Sequence, residues 1–193
     1  PSQFPVALAL AGLLLAAPAW SQAVTSTGTQ PAAQPAAQPA VPAATATGPR
    51  VDMARLDYGL RARSLAEGVW VVEGTNADFS PANGCNIINT GFITTGAGVL
   101  VINTGTSRLY GEQLRALITR TTREPVVQVL HLNLHPDYFL GNQAFADVPR
   151  SATALTRAGM QREAKAYEDN LYRLCGDWMR GTESTPARQS LDP

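Results

Sequence analysis

Four short runs of β-forming residues and an amphipathic helix, in a fixed order, limit what this chain can fold into. Val69-Trp70-Val71-Val72 is bounded by Gly68 and Gly74, and so reads as a strand. Asn86 to Thr95 reads as a second strand, Gly96-Ala97-Gly98 as a tight turn, and Val99 to Asn103 as a third strand. The second and third strands form a hairpin, and the apolar run of the third predicts burial on both of its faces. Thr104 to Ser107 turns into a helix whose apolar face is Leu109, Leu114, Leu117 and Ile118, ending near Thr121 ahead of Glu124-Pro125. Val126 to Leu130 is a further strand. This order (hairpin, helix, strand, polar loop) is an α/β arrangement, in which functional groups sit on loops at strand ends.

After Pro149 the reading turns helical. Met160, Ala164, Tyr167, Leu171, Leu174 and Trp178 follow one another at steps of three and four, an amphipathic stripe that reads as packing and ends near Gly181. From Thr182 the chain reads as a polar, loop-like tail.

The segment ahead of Val51 has a different composition. Val6 to Pro18 is an apolar run shorter than the ~20 residues a bilayer span needs. It is followed by Ser21-Gln22-Ala23, so residues 1–23 read as a signal peptide whose charged n-region is missing, with a retained anchor as the other reading. Residues 24–50 are rich in Pro, Ala and Gln, and without aromatics they cannot bury enough apolar surface to offset the entropy of ordering. They read as a disordered linker. Residues 51–193 are then one domain. Export to a periplasm or beyond the cell follows from the signal peptide, with no stable membrane span after cleavage. With 15 basic and 15 acidic residues there is no basic stripe for a nucleic acid. Cys85 and Cys175 could pair in an oxidising compartment or remain two thiols.

The chemistry concentrates after the strand Val126 to Leu130, in Asn133-Leu134-His135-Pro136-Asp137-Tyr138. A loop after a buried strand can aim several side chains at one point, and imidazole nitrogen with carboxylate oxygen suits zinc. Three protein ligands and an open position would lower the pKa of a bound water to about 7. A lone His-x-Asp is weak by itself. His131 lies four residues before His135, but Leu132 stands where a helical His-x-x-x-His zinc site has its general-base Glu. In an extended strand the two rings would be ~13 Å apart, at ~3.3 Å per residue, so His131 reads as a strand-end histidine.

The run from Leu65 to Asp147 resembles the N-terminal half of a metallo-β-lactamase-fold protein. The resemblance rests on Gly68-Val-Trp-Val-Val72, on Asn89-Thr-Gly-Phe-Ile93 with Gly98-Val-Leu-Val-Ile-Asn-Thr-Gly105, and on His135-Pro-Asp-Tyr-Phe-Leu-Gly-Asn-Gln-Ala-Phe145. The last run, with the helical Glu163 to Arg180, is similar to the quinoprotein relay system zinc metallohydrolases, which are exported and associated with quinone-cofactor dehydrogenases. The resemblance implies an α/β fold: the N-terminal half of an αβ/βα sandwich, with a mixed sheet and flanking helices. It implies zinc-dependent hydrolysis of a small-molecule substrate, with His135 as a metal ligand and Asp137 as the ligand of a second metal or as the catalytic water-orienting group of a one-metal enzyme. Against the family pattern His-x-His-x-Asp-His, Asn133 and Tyr138 occupy degenerate slots. Asn103 stands where many relatives have a supporting aspartate. His135 is also the last histidine of the sequence. The expected function is therefore that of an exported hydrolase, incomplete or impaired in this chain. The alternative is a non-catalytic periplasmic accessory protein of a quinoprotein dehydrogenase system.

Overall fold

The computed structural model describes residues 51–192; the signal peptide and linker assigned to residues 1–50 lie outside them. Seven strands form one sheet in chain order: β1 (Ala62–Ala66), β2 (Val69–Val72), β3 (Thr90–Thr94), β4 (Val99–Ile102), β5 (Val126–Leu130), β6 (Arg150–Ala152) and β7 (Gln189–Ser190). The first four strands pair antiparallel. From β4 to β7 the neighbours run parallel. The helices are α1 (Arg108–Thr121), α2 (Pro136–Phe139) and α3 (Ala154–Cys175). Among the described residues no helix is long and apolar enough to cross a membrane.

The hairpin is where the sequence places it, with Phe92 paired to Val101 and Ile93 to Leu100. Its turn is fixed from outside: Oε2 of Glu124 accepts the backbone N–H groups of Thr95, Gly96 and Gly98 at 3.0, 3.0 and 3.2 Å. Helix α1 begins at the expected turn, where the hydroxyl of Ser107 accepts the N–H of Tyr110 at 3.1 Å and caps the first turn.

One sheet face forms the core. Val72, Phe92, Val99, Val101 and Val129 are fully buried on it, together with Leu114 and Ile118 of α1 and Met160 and Leu171 of α3. Strand β4 departs from the expectation of two buried faces: Val99 and Val101 are buried, whereas Leu100 and Ile102 are half-buried. Its other face carries Leu100 and Ile102 beside Val69, Val71, Ile93 and Leu130, all half-buried and outside the core cluster.

Further differences are local. The strand expected from Asn86 begins only at Thr90, because Asn86 and Asn89 spend backbone and side-chain oxygens on the N–H groups of Thr75 and Gly74. The helix expected directly after Pro149 is preceded by β6. It begins at Ala154, where the Thr153 hydroxyl accepts the Thr156 N–H. It stops at Cys175 because Gly176 takes a φ of 55°, so Trp178 falls on a following 3-10 turn, Gly176–Met179. Leu174 is exposed and Cys175 takes the buried place instead. In the tail, Gln189–Ser190 adds to the sheet edge beside β6.

Cys85 and Cys175 are joined as a disulfide, with 6.0 Å between their Cα atoms. It ties the loop ahead of β3 to the end of α3. Beside it, the indole N–H of Trp178 donates to the carbonyl of Pro81 at 2.9 Å.

Candidate functional site

Strand β5 ends at Leu130, and the chain leaves the sheet through His131 to His135 into α2. Pro136 supplies the first residue of that short helix, where its missing N–H is no loss and its φ is already helical. The expected polar loop is therefore a turn of helix after His135, continued by a 3-10 segment, Leu140–Phe145.

This segment is held tightly from its surroundings. Oδ1 of Asn103 accepts the Leu132 N–H at 3.0 Å. The backbone N–H of Thr104 donates to the Tyr138 carbonyl at 2.9 Å, and its hydroxyl donates to Oδ1 of Asn142 at 2.9 Å. Gly141 donates to Gly105 at 3.0 Å. Asn103 has a φ of 58°, a left-handed conformation that asparagine tolerates better than most residues.

The two residues that sequence singled out most strongly meet. Nδ1 of His135 lies 3.1 Å from Oδ1 of Asp137. The His135 side chain is 55% exposed and that of Asp137 is 2% exposed. Burial pushes the Asp137 carboxyl above the ordinary aspartate range, and the bond from His135 only partly offsets this. Oδ1 of Asn133 accepts the His135 N–H at 3.1 Å, a local turn that occupies its acceptor. Tyr138 is half-buried and lines a cleft.

His131 is buried at the end of β5, consistent with a strand-end histidine. Neither of its ring nitrogens makes a hydrogen bond, and its ring stands edge-on to Phe139 at 6.5 Å. Desolvation lowers its pKa to about 4, against weaker opposing effects of the Tyr138 backbone and the Asn142 side chain.

The cleft has a volume of about 470 Å³ and is lined by Gly74, Asn76, Ile87, Ile88, Asn89, Asn103, Leu132 and Tyr138. It opens at the ends of β2, β4 and β5 and the start of β3, where an α/β sheet presents ligands. Sequence reasoning named Asn103 and Tyr138 but missed the others. The available signal was Leu132, an apolar residue in the polar stretch that follows β5, where it is 69% exposed.

The fold is that of the metallo-β-lactamases: one α/β half of the sandwich, a mixed sheet with flanking helices. It matches the crystal structure of a metallo-β-lactamase from Hirschia baltica with a TM-score of 0.50 and 22% identity, over 69% of this chain and 52% of that chain. Similarity also extends to TMB-1, with a TM-score of 0.48 and 18% identity over 69% of this chain and 52% of that one. It extends to FIM-1 from Pseudomonas aeruginosa in its mono-zinc form, with a TM-score of 0.48 and 14% identity over 68% and 50%. The chain spans about half the length of these solved structures. No protein-family model and no curated protein matches it.

A catalytic zinc takes three protein ligands and keeps one open position. Among the described residues no three His, Cys, Asp or Glu side chains are grouped to hold a metal. His135 and Asp137 are two, and they are bonded to each other. The described residues alone do not fit zinc.

Proposed function

We propose that this chain carries a metal-independent form of the fold, a binding module of an exported protein in which the strand-end loop keeps its shape through hydrogen bonds. The observation that carries this reading is the His135–Asp137 pair. The nitrogen and oxygen that would face a cation face each other at 3.1 Å. Asn133 and Asn103 likewise spend their oxygens on backbone N–H groups.

Export is part of this proposal. It is supported by the residue 1–23 pattern and by the Cys85–Cys175 disulfide, a bond that persists in oxidising compartments. Service to a periplasmic quinoprotein dehydrogenase system belongs to the same reading and rests on sequence resemblance alone. Zinc-dependent hydrolysis of a small molecule, the activity the resemblance implies, is the competing outcome.

The test is elemental analysis of the full chain purified from zinc-supplemented cells, paired with titration of zinc into EDTA-treated protein. The expected result is zinc far below stoichiometry and no saturable binding. One tightly held zinc per chain would overturn the proposal.

A further inference from the structure

The loop between β2 and β3, residues 73–89, forms one wall of the cleft through Gly74, Asn76, Ile87, Ile88 and Asn89. Its two limbs close on each other. The Thr75 N–H donates to the Asn86 carbonyl at 2.9 Å, and the Gly74 N–H donates to Oδ1 of Asn89 at 3.0 Å. A Cβ at position 74 would run into the backbone of Ile88, so the limbs approach this closely only with glycine there. The Cys85–Cys175 bond grips the loop right beside this closure, because Asn86 follows Cys85 directly.

The segment at the bond is not one the chain adopts without cost. Gly84 and Cys85 take left-handed φ values of 60° and 59°, a conformation that is free only for the glycine. Asn86 is buried with no acceptor for its Nδ2, which is a further cost. Two other ties from the body of the fold fall ahead of Cys85. The Tyr58 hydroxyl donates to the Gly84 carbonyl at 3.1 Å, and the Trp178 indole to the Pro81 carbonyl at 2.9 Å. The disulfide is nearer than either to Ile87 and Ile88. Two separate thiols also need more room than a bonded pair. Both cysteines are buried, and a close-packed interior has little room to give, so reduction sets the loop against the end of α3. The loop, which carries the unfavourable backbone and the orphaned amide, is the side that yields.

We propose that Cys85–Cys175 is a redox latch on the cleft. Oxidised, it holds the wall from Gly74 to Asn89 in place. Reduced, it frees that wall while the sheet and helices stay folded. The reductant is a dithiol. One of its thiolates attacks a sulfur of the bond and forms a mixed disulfide, and the other cysteine leaves as a thiolate that takes up a proton. The second thiol of the reductant then displaces the remaining cysteine and closes the reductant's own disulfide. Two electrons and two protons thus end on Cys85 and Cys175. With both sulfurs buried, the first attack waits on a local opening of the loop. The latch completes the cleft only in an oxidising compartment, and it holds whether or not the loop after β5 takes a metal.

The experiment compares the ¹⁵N-labelled full chain before and after dithiothreitol, in EDTA, with thiol titration confirming none and then two free thiols. Should the buried bond resist reduction, the Cys85→Ser, Cys175→Ser variant stands for the reduced state. In the oxidised chain the backbone order parameters of Gly74, Asn76, Ile87, Ile88 and Asn89 should be those of rigid backbone, about 0.85. In the reduced chain they should fall below about 0.6, while Val99 to Ile102 keep the rigid value. The Thr75 amide proton should move upfield as its bond to Asn86 is lost. Unchanged order parameters in the wall, with both thiols free or replaced, would overturn the latch. So would loss of the dispersed spectrum, because the bond would then be a condition of the whole fold. Zinc content is read on the oxidised chain, so the latch and the metal-independent reading fail separately.

Discussion

His135 and Asp137 join an exposed imidazole to a buried carboxylate, Nδ1 to Oδ1 at 3.1 Å, across the first turn of α2. Burial is the larger influence on Asp137 and raises its pKa above the ordinary 3.8. Between the two values the folded chain holds a proton that the unfolded chain has released. Stability from this group therefore falls as pH rises through that window, and at neutral pH the buried charge is unfavourable. Asp137→Asn should be more stable than the wild type at pH 7. The advantage should fade as pH falls below the ordinary aspartate value. Urea unfolding of both proteins at neutral and acid pH checks this, and a loss of stability in the variant at pH 7 would contradict it.

His131 acts in the opposite sense. Its folded-state pKa of about 4 lies below the ordinary 6.5, so between these values the unfolded chain binds the extra proton. Stability should fall as pH drops through that window and level off beneath it. The interval corresponds to about 3 kcal/mol. Leucine has a similar volume and cannot be protonated. His131→Leu should therefore show a flatter dependence of unfolding free energy on pH than the wild type, with the two curves diverging below about pH 6.5. Parallel curves would show that His131 charges as easily in the folded chain as in the unfolded one.

Part of this architecture is legible in the chain because local and tertiary demands agree. Gly96-Ala97-Gly98 between two apolar runs makes the hairpin at any reading, and Ser107 ahead of an amphipathic stretch starts α1. Strand β6 is not legible. Arg150-Ser151-Ala152 has no β-forming residue, and the strand exists because Arg150 and Ser151 pair with Val129 and Leu130. The guanidinium of Arg150 is accommodated by donating to the Phe145 carbonyl at 2.7 Å, a contact no local pattern records. At the site, His135 and Asp137 stand out through the motifs around them, which carry the family resemblance, since a lone His-x-Asp is weak by itself. The oxygens of Asn103 and Asn89 are committed by chain segments 29 and 15 residues away, so the hydrogen-bond state of these two side chains is a tertiary property.

Gly111 and Gly141 should resist enlargement. A Cβ at Gly111 would run into the carbonyl of Gly141, and one at Gly141 would run into the carbonyl of Thr104. Alanine inside a helix is favoured over glycine by about 1 kcal/mol. Backbone atoms cannot swing aside as a flexible side chain does, and overpacking of this kind costs about 1–3 kcal/mol or more. The clash should win, and Gly111→Ala should lose about 1–2 kcal/mol in chemical unfolding. The displaced segment carries Asn142 and the Thr104 bond, so the ¹⁵N spectrum of the variant should also move at Tyr138. A variant as stable as the wild type would show that α1 and the 3-10 segment can slide apart without penalty.

The Cys85–Cys175 bond closes a loop with a sequence separation of 90, and both cysteines are buried. In the chain-entropy account a loop of that length restrains the unfolded state by about 4–5 kcal/mol, and measured losses run nearer 2–4. Removing the bond also frees the end of α3 from the loop that holds Gly84, whose Cα region is packed against Tyr58 and Trp178. The Cys85→Ala, Cys175→Ala double variant should lose about 2–4 kcal/mol, and dithiothreitol should destabilise the wild type while leaving the variant unchanged. Thiol titration of the unfolded, unreduced chain should find no free cysteine when the protein is recovered from an oxidising compartment. Two free thiols there, with stability equal to that of the double variant, would mean that the two cysteines lie side by side without joining.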